Sequence, residues 1–193
     1  MNFLAHCYLS CSDEELLVGN FIADFLKGND LAVYPPRIQE GVQLHRAIDR
    51  FTDEHVLSVK LRELIRHSQG KYASVAVDLV WDYYLSQNWS LYSGASLQDF
   101  ADQTYLALGK YKDVFPGKLK SMYSNMLENN FLLAYANRER MESSLRWMDK
   151  RTRFPSNFIS VVRDIDAHYD LCNEWFLEFF QDMIVFVEES CPC

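Results

Sequence analysis

The sequence predicts an all-α, single-domain helical bundle, and three observations carry that reading. Apolar residues recur at helical spacing through nearly the whole 193-residue chain, and at 49% hydrophobic it can bury one sizeable core. The breaks, 7 Gly and 5 Pro, fall mostly between periodic segments. Capping signals stand where several of those segments begin or end.

Taken in order, residues 2–9 read as one short helix. Ser12 followed by Glu15 is a capping box that opens a second, expected to run to about Lys27 and stop at Gly28. Pro35-Pro36 starts a third, with Pro36 near its first position, through roughly Phe51. A fourth spans 56–67 and stops at Gly70; a fifth, 73–89, is rich in Val and aromatics but keeps helical spacing. Further helices are expected over 97–111, 117–135, 138–150 and 156–187, separated by Gly94, Pro116 and Pro155. With short connections, no repeat and no linker, residues 1–193 read as a single domain.

Composition narrows the function classes. The opening Met1-Asn2-Phe3-Leu4-Ala5-His6 lacks the basic start of a secretory leader. No stretch approaches the ~18 uncharged apolar residues of a membrane helix, because Glu178 and Asp182 interrupt the apolar run 175–187. The expectation is a soluble cytoplasmic protein with free thiols at Cys7, Cys11, Cys172, Cys191 and Cys193, the last two on a frayed tail. After Arg163 there is no Lys or Arg, yet eight acids follow, and these account for the net charge of -8. Residues 110–163 are basic, from Lys110 and Lys112 through Lys118, Lys120, Arg138 and Arg140 to Arg163. A pI near 5.1 argues against nucleic acid as a partner, whereas the local basic face suits an acidic protein or a phosphate ligand.

The chemistry lies in ionisable residues placed inside apolar runs: His6, Asp24, His45, Asp49 and Asp78, with Asp82 one helical turn later. Burying such groups among Phe, Leu, Ile and Val is costly unless they are paired or hold a metal. His45 and Asp49 share a helix face at i and i+4, beside Ile38, Gly41 and Ile48; Asp78 and Asp82 repeat the spacing beside Val75 and Leu79. Each has a plainer explanation: a satisfied core histidine, a helix-capping aspartate, an ion pair with Arg46 or Arg50, or an orienting hydrogen bond. Together they point to a metal or acid–base site. Imidazole and carboxylate without thiolate suit Mn²⁺, Mg²⁺ or Fe²⁺, with zinc less favoured. The chain contains no Glu-x-x-His, His-Glu-x-x-His, P-loop, Gly-x-Gly-x-x-Gly or Gly-x-Ser-x-Gly, and no organic cofactor site is expected. Helices carrying dispersed His and Asp ligands match the arrangement of HD-type phosphohydrolases, but the His-Asp doublet is absent, since Arg46 follows His45.

The wording of the motifs is more specific. Met1 through His6, Gly19-Asn20-Phe21-Ile22-Ala23-Asp24-Phe25-Leu26-Lys27-Gly28, Gly41-Val42 through Asp49, Phe51-Thr52-Asp53, Val77-Asp78 through Asp82, and Asp166-Ala167-His168-Tyr169 resemble the acyl carrier protein phosphodiesterase family over nearly the full chain. The resemblance implies a helical, distantly HD-like enzyme that hydrolyses the phosphodiester joining 4'-phosphopantetheine to a serine of holo-acyl carrier protein, supported by Mn²⁺. It implies His6, Asp24, His45 and Asp78 as metal ligands. Asp49 and Asp82 stand close behind, either as general base or as a group orienting His45. Arg46 would neutralise the phosphate, or else pair with Asp49 or Asp53. Tyr83 stands where family members are expected to carry His, so no role of that His is transferred. An acidic carrier would dock away from the acidic tail, on the 110–163 region or on Arg62, Arg66 and Lys71. Two alternatives remain: an HD-like phosphohydrolase acting on a nucleotide or other small phosphoester, and a non-catalytic helical module that binds the carrier. Oligomeric state is not readable from the sequence.

Overall fold

The computed structural model describes residues 1–26, 28 and 31–190, and these form helices joined by short turns with no strand among them. The helices are α1 (Phe3–Tyr8), α2 (Glu14–Ile22), α3 (Pro36–Glu54), α4 (Val56–Gln69), α5 (Ala73–Gln87), α6 (Leu97–Lys110), α7 (Gly117–Glu128), α8 (Arg138–Asp149), α9 (Val161–Ala167) and α10 (Tyr169–Ser190). Pro36 occupies the start of α3, and Gly70, at φ +54°, ends α4, both as the sequence signals.

Four boundaries differ most from the sequence reading, each for a local reason. Asp13, rather than Ser12, caps α2: its Oδ1 accepts from the backbone N–H groups of Glu15 (3.0 Å) and Leu16 (2.9 Å), while Ser12 stands at φ +54°. α2 ends at Ile22 and tightens into a 3₁₀ turn, Ala23–Phe25; Lys27, where its end was expected, lies outside the described residues. α7 stops at Glu128 because Asn130 adopts the left-handed conformation. The helix expected over 156–187 is two, α9 and α10, broken at His168, whose backbone leaves the helical region at φ −133°. Among the thiols, Cys7 and Cys172 are free and buried, but Cys11 is disulfide-bonded, which corrects the expectation of free thiols throughout. Cys191 and Cys193 lie outside the described residues.

Two apolar clusters make up the interior. The first surrounds α5, where Ala76, Val77, Leu79, Val80, Trp81, Tyr84 and Leu85 are all buried. Trp81 stacks on Phe179 of α10 at 5.1 Å and donates its Nε1–H to Ser58 Oγ of α4, so the indole has both an apolar body contact and a polar partner. The second joins α2, α6 and α7 through Phe21, Ile22, Leu108, Leu119 and Tyr123. α1 and α3 serve both: Leu4, Leu44 and Ile48 belong to the first cluster, Cys7, Ile38 and Val42 to the second. His6 on α1 and His45 on α3 therefore sit at the seam between the two cores. Among the described residues, no helix is long and apolar enough to cross a membrane.

Glycine sets the distance between α2 and α3. A Cβ on Gly19 would stand 2.1 Å from the Ile38 carbonyl oxygen, and one on Gly41 would stand 2.3 Å from that of Leu16. Backbone meets backbone at this crossing, which brings Asn20 of α2 up against the side chain of His45.

Candidate metal centre

The site begins with Asn20, which is fully buried. Its Nδ2 donates to the His6 carbonyl (2.8 Å) and to Ser10 Oγ (3.1 Å), so its Oδ1 is left as an acceptor. That Oδ1 accepts from Nδ1 of His6 (2.8 Å), and the Asn20 carbonyl accepts from Nδ1 of His45 (2.9 Å). One residue thereby fixes both imidazoles with the proton on Nδ1 and turns both Nε2 atoms the same way. The rings stack at 4.0 Å between centroids.

Both Nε2 atoms face carboxylates. His6 Nε2 lies 3.1 Å from Asp49 Oδ1, and His45 Nε2 lies 3.2 Å from Asp49 Oδ2 and 3.3 Å from Asp24 Oδ1. Ligand atoms of His6, His45 and Asp49 all fall within 4.8 Å of one another. Burial, together with the charge of His45, lowers His6 to about 4, so at neutral pH its Nε2 carries a lone pair directed at an anionic oxygen. Two acceptors facing each other without a proton between them suit a bound cation, and the donor set fits a divalent metal. Burial alone would lower His45, but hydrogen bonds to Asp24 and Asp49 raise it to about 9. Burial likewise works against Asp24 and Asp49, yet the hydrogen bond from His45 holds each carboxylate below its ordinary value.

A stability consequence follows from His45. Its folded-state value lies above the ordinary 6.5, so its contribution is complete below 6.5 and is lost as pH rises through about 9. In chelator-treated protein, thermal unfolding followed by circular dichroism should therefore show stability falling across that window, and falling less in His45→Gln. Identical slopes for the two proteins would contradict this.

The structure distributes the sequence-predicted residues unevenly. His6, His45, Asp49 and Asp24 converge. The two imidazoles are buried as expected, but the Asp49 side chain is 42% exposed and that of Asp24 56%, so these carboxylates line an opening rather than the core. Asp78 is not in the cluster: its Oδ1 lies 2.8 Å from the Met1 ammonium, which is also 3.5 Å from Asp49 Oδ1. Asp82 is buried behind α1, where its two oxygens accept from the backbone N–H groups of Asn2 (3.2 Å), Leu4 (2.9 Å) and Ala5 (3.3 Å). A carboxylate at a helix N-terminus is favourable, but burial still pushes Asp82 up to about 7. Val75, grouped with this pair by spacing, faces solvent. Arg46 pairs with neither Asp49 nor Asp53 but donates from Nη2 to the Gly28 carbonyl (3.2 Å), just beyond Asp24. Asn20 is the residue the sequence reading did not single out; its only signal was an amide side chain in the apolar run Gly19-Asn20-Phe21-Ile22.

Comparison with known proteins agrees with the motif wording. Residues 1–183 match the family model described as acyl carrier protein phosphodiesterase. A protein of Salmonella paratyphi A named acyl carrier protein phosphodiesterase is 31% identical over 185 residues, covering 95% of this chain and 96% of the relative. A protein of the same name from Photorhabdus laumondii subsp. laumondii is 30% identical over 185 residues, covering 95% and 93%. No solved structure matches the chain significantly. On this evidence the chain belongs to the acyl carrier protein phosphodiesterase family.

Proposed function

We propose that this protein hydrolyses the phosphodiester between 4'-phosphopantetheine and a serine of holo-acyl carrier protein, releasing apo-carrier and 4'-phosphopantetheine. The observation that carries the reading is the convergence of His6, His45, Asp49 and Asp24 in a chain that matches the family over nearly its whole length. The proposal includes a divalent metal, Mn²⁺ for preference, held by His6, His45 and Asp49 with Asp24 alongside, and a cytoplasmic compartment shared with the carrier.

When bound, such an ion supplies Lewis-acid chemistry at the phosphoryl group. The chain's own residues do the rest. Asn20 holds the imidazoles in register, so that the donor set needs no rearrangement to receive the ion. Asp24, exposed and ionised, is placed to take the proton of an attacking water. Arg46, which follows His45 and donates to the Gly28 carbonyl, offers a guanidinium that can face phosphoryl oxygens. Asp82 is assigned to positioning, since its oxygens are taken up by the start of α1. Asp78 stands outside the cluster and shares the Met1 ammonium with Asp49. Lys118, whose Nζ lies 5.8 Å from the Phe25 ring next to Asp24, supports docking of an acidic carrier on the basic 110–163 face.

Incubation of holo-carrier with the protein tests the reading by mass spectrometry. With Mn²⁺ the carrier should lose the mass of phosphopantetheine, and with chelator it should not. An intact carrier alongside hydrolysis of a nucleotide or small phosphoester would favour the HD-like alternative. Carrier binding with no metal uptake and no hydrolysis would favour a non-catalytic module.

A further inference from the structure

The start of α1 is shared between the metal centre and a cleft of about 700 Å³, a size typical of small-ligand sites. Phe3 lines this cleft; it precedes His6 by one helical turn, and its ring lies 6.3 Å from that of Phe25, the neighbour of Asp24. Asn2, whose N–H binds Asp82, and Leu79, between Asp78 and Asp82 on α5, complete this side. The opposite side comes from α7, α8 and the turn between them, the segment that also carries the basic face.

The chemistry of the lining is selective. Phe131, Trp147 and Met148 supply apolar surface, with Phe131 edge-on to Trp147 at 6.2 Å. Asn2 and Asn125 supply amides, joined by Asn129, whose Nδ2 also donates to the Asn125 carbonyl, and by Asn137, whose Oδ1 also caps α8. Glu139 and Arg140 are the charged residues of the lining and are opposite in sign. A polyanion has little to bind there; a neutral chain of methylenes and amides matches both kinds of surface.

We propose that this cleft seats the neutral, amide-bearing arm of the phosphodiester, with the phosphate at His6, His45 and Asp49. The inference rests on the phosphodiesterase reading above and adds to it the element that selects the substrate. Phosphodiesters with a pantetheine-like arm gain the cleft's contacts, and diesters without one use the metal centre alone.

Ala134, on the cleft wall at a helical backbone angle, accepts a larger side chain without backbone strain. Ala134→Phe should lower the ratio of kcat/KM for holo-carrier to that for bis(p-nitrophenyl) phosphate by about tenfold or more, equivalent to ~1.4 kcal/mol. Trp147→Ala, on an exposed position of α8, should move the ratio in the same direction and serves if Ala134→Phe fails to fold. An unchanged ratio in a folded variant overturns the proposal. Titration with pantetheine, which lacks the phosphate, gives an independent reading: tryptophan emission should change in the wild type and not in Trp147→Phe. If holo-carrier is not hydrolysed by the wild type, the phosphodiesterase reading has failed, and this titration alone decides the cleft: a Trp147-dependent response upholds it, and none sinks it.

Discussion

Asp24→Asn is expected to abolish turnover of holo-carrier while leaving the helical fold intact. The two halves of this result have separate causes. Asp24 sits on a 3₁₀ turn with its side chain 56% exposed, so the amide replaces it without a cavity, and His45 keeps Asp49 as a partner; the loss of one of its two carboxylates should cost about 1 kcal/mol. Its Oδ1, however, accepts from His45 Nε2 at the mouth of the donor cluster. Asparagine can neither take a proton from water nor supply the same charge to a divalent ion, and loss of such a group lowers rate by roughly 100-fold or more. Steady-state kinetics with mass detection, paired with thermal melts, checks both halves. Retained turnover would remove Asp24 from the site.

Gly41→Ala should produce the largest loss of stability. The new methyl would meet the Leu16 carbonyl oxygen at 2.3 Å and the Gly19 Cα at 2.9 Å, and neither is a flexible side-chain end that can swing aside. α2 and α3 must separate, at an expected cost of about 1–3 kcal/mol or more, which in a chain of this size lowers Tm by roughly 5 °C. Separation also moves Asn20 away from His45, so Mn²⁺ affinity by isothermal titration should fall together with Tm. A variant with wild-type Tm and wild-type Mn²⁺ affinity would show that the crossing tolerates a side chain and that Asn20 does not set the ligand geometry.

Much of this was legible in the sequence where the signal is local. Pro36 and Gly70 act through their own backbone angles, so the start of α3 and the end of α4 are readable from single residues. His45 and Asp49 share a face because one turn separates them, and no tertiary information is needed. The break at His168 was not legible because no Gly or Pro marks it, and helical spacing reads on through it from α9 into α10. Asp78 and Asp82 show the same limit inside the site. Their spacing is that of His45 and Asp49, yet one pairs with the Met1 ammonium and the other with backbone N–H groups, because both outcomes depend on where residues 1–5 dock. Asn20 was hidden for a related reason: its importance lies in reaching two rings on different helices at once.

The capping of α1 by Asp82 has a consequence in time as well as in space. A helix of only six residues is far too short to persist alone in water. The carboxylate that satisfies its first N–H groups lies 77 to 80 positions later in the chain. During synthesis His6 emerges well ahead of α5, and it has no defined orientation until α5 has followed and folded against it. The two-imidazole cluster is therefore assembled late, by one of the longest-range contacts in the first half of the chain. A partly made chain carries its histidines without carrying the site.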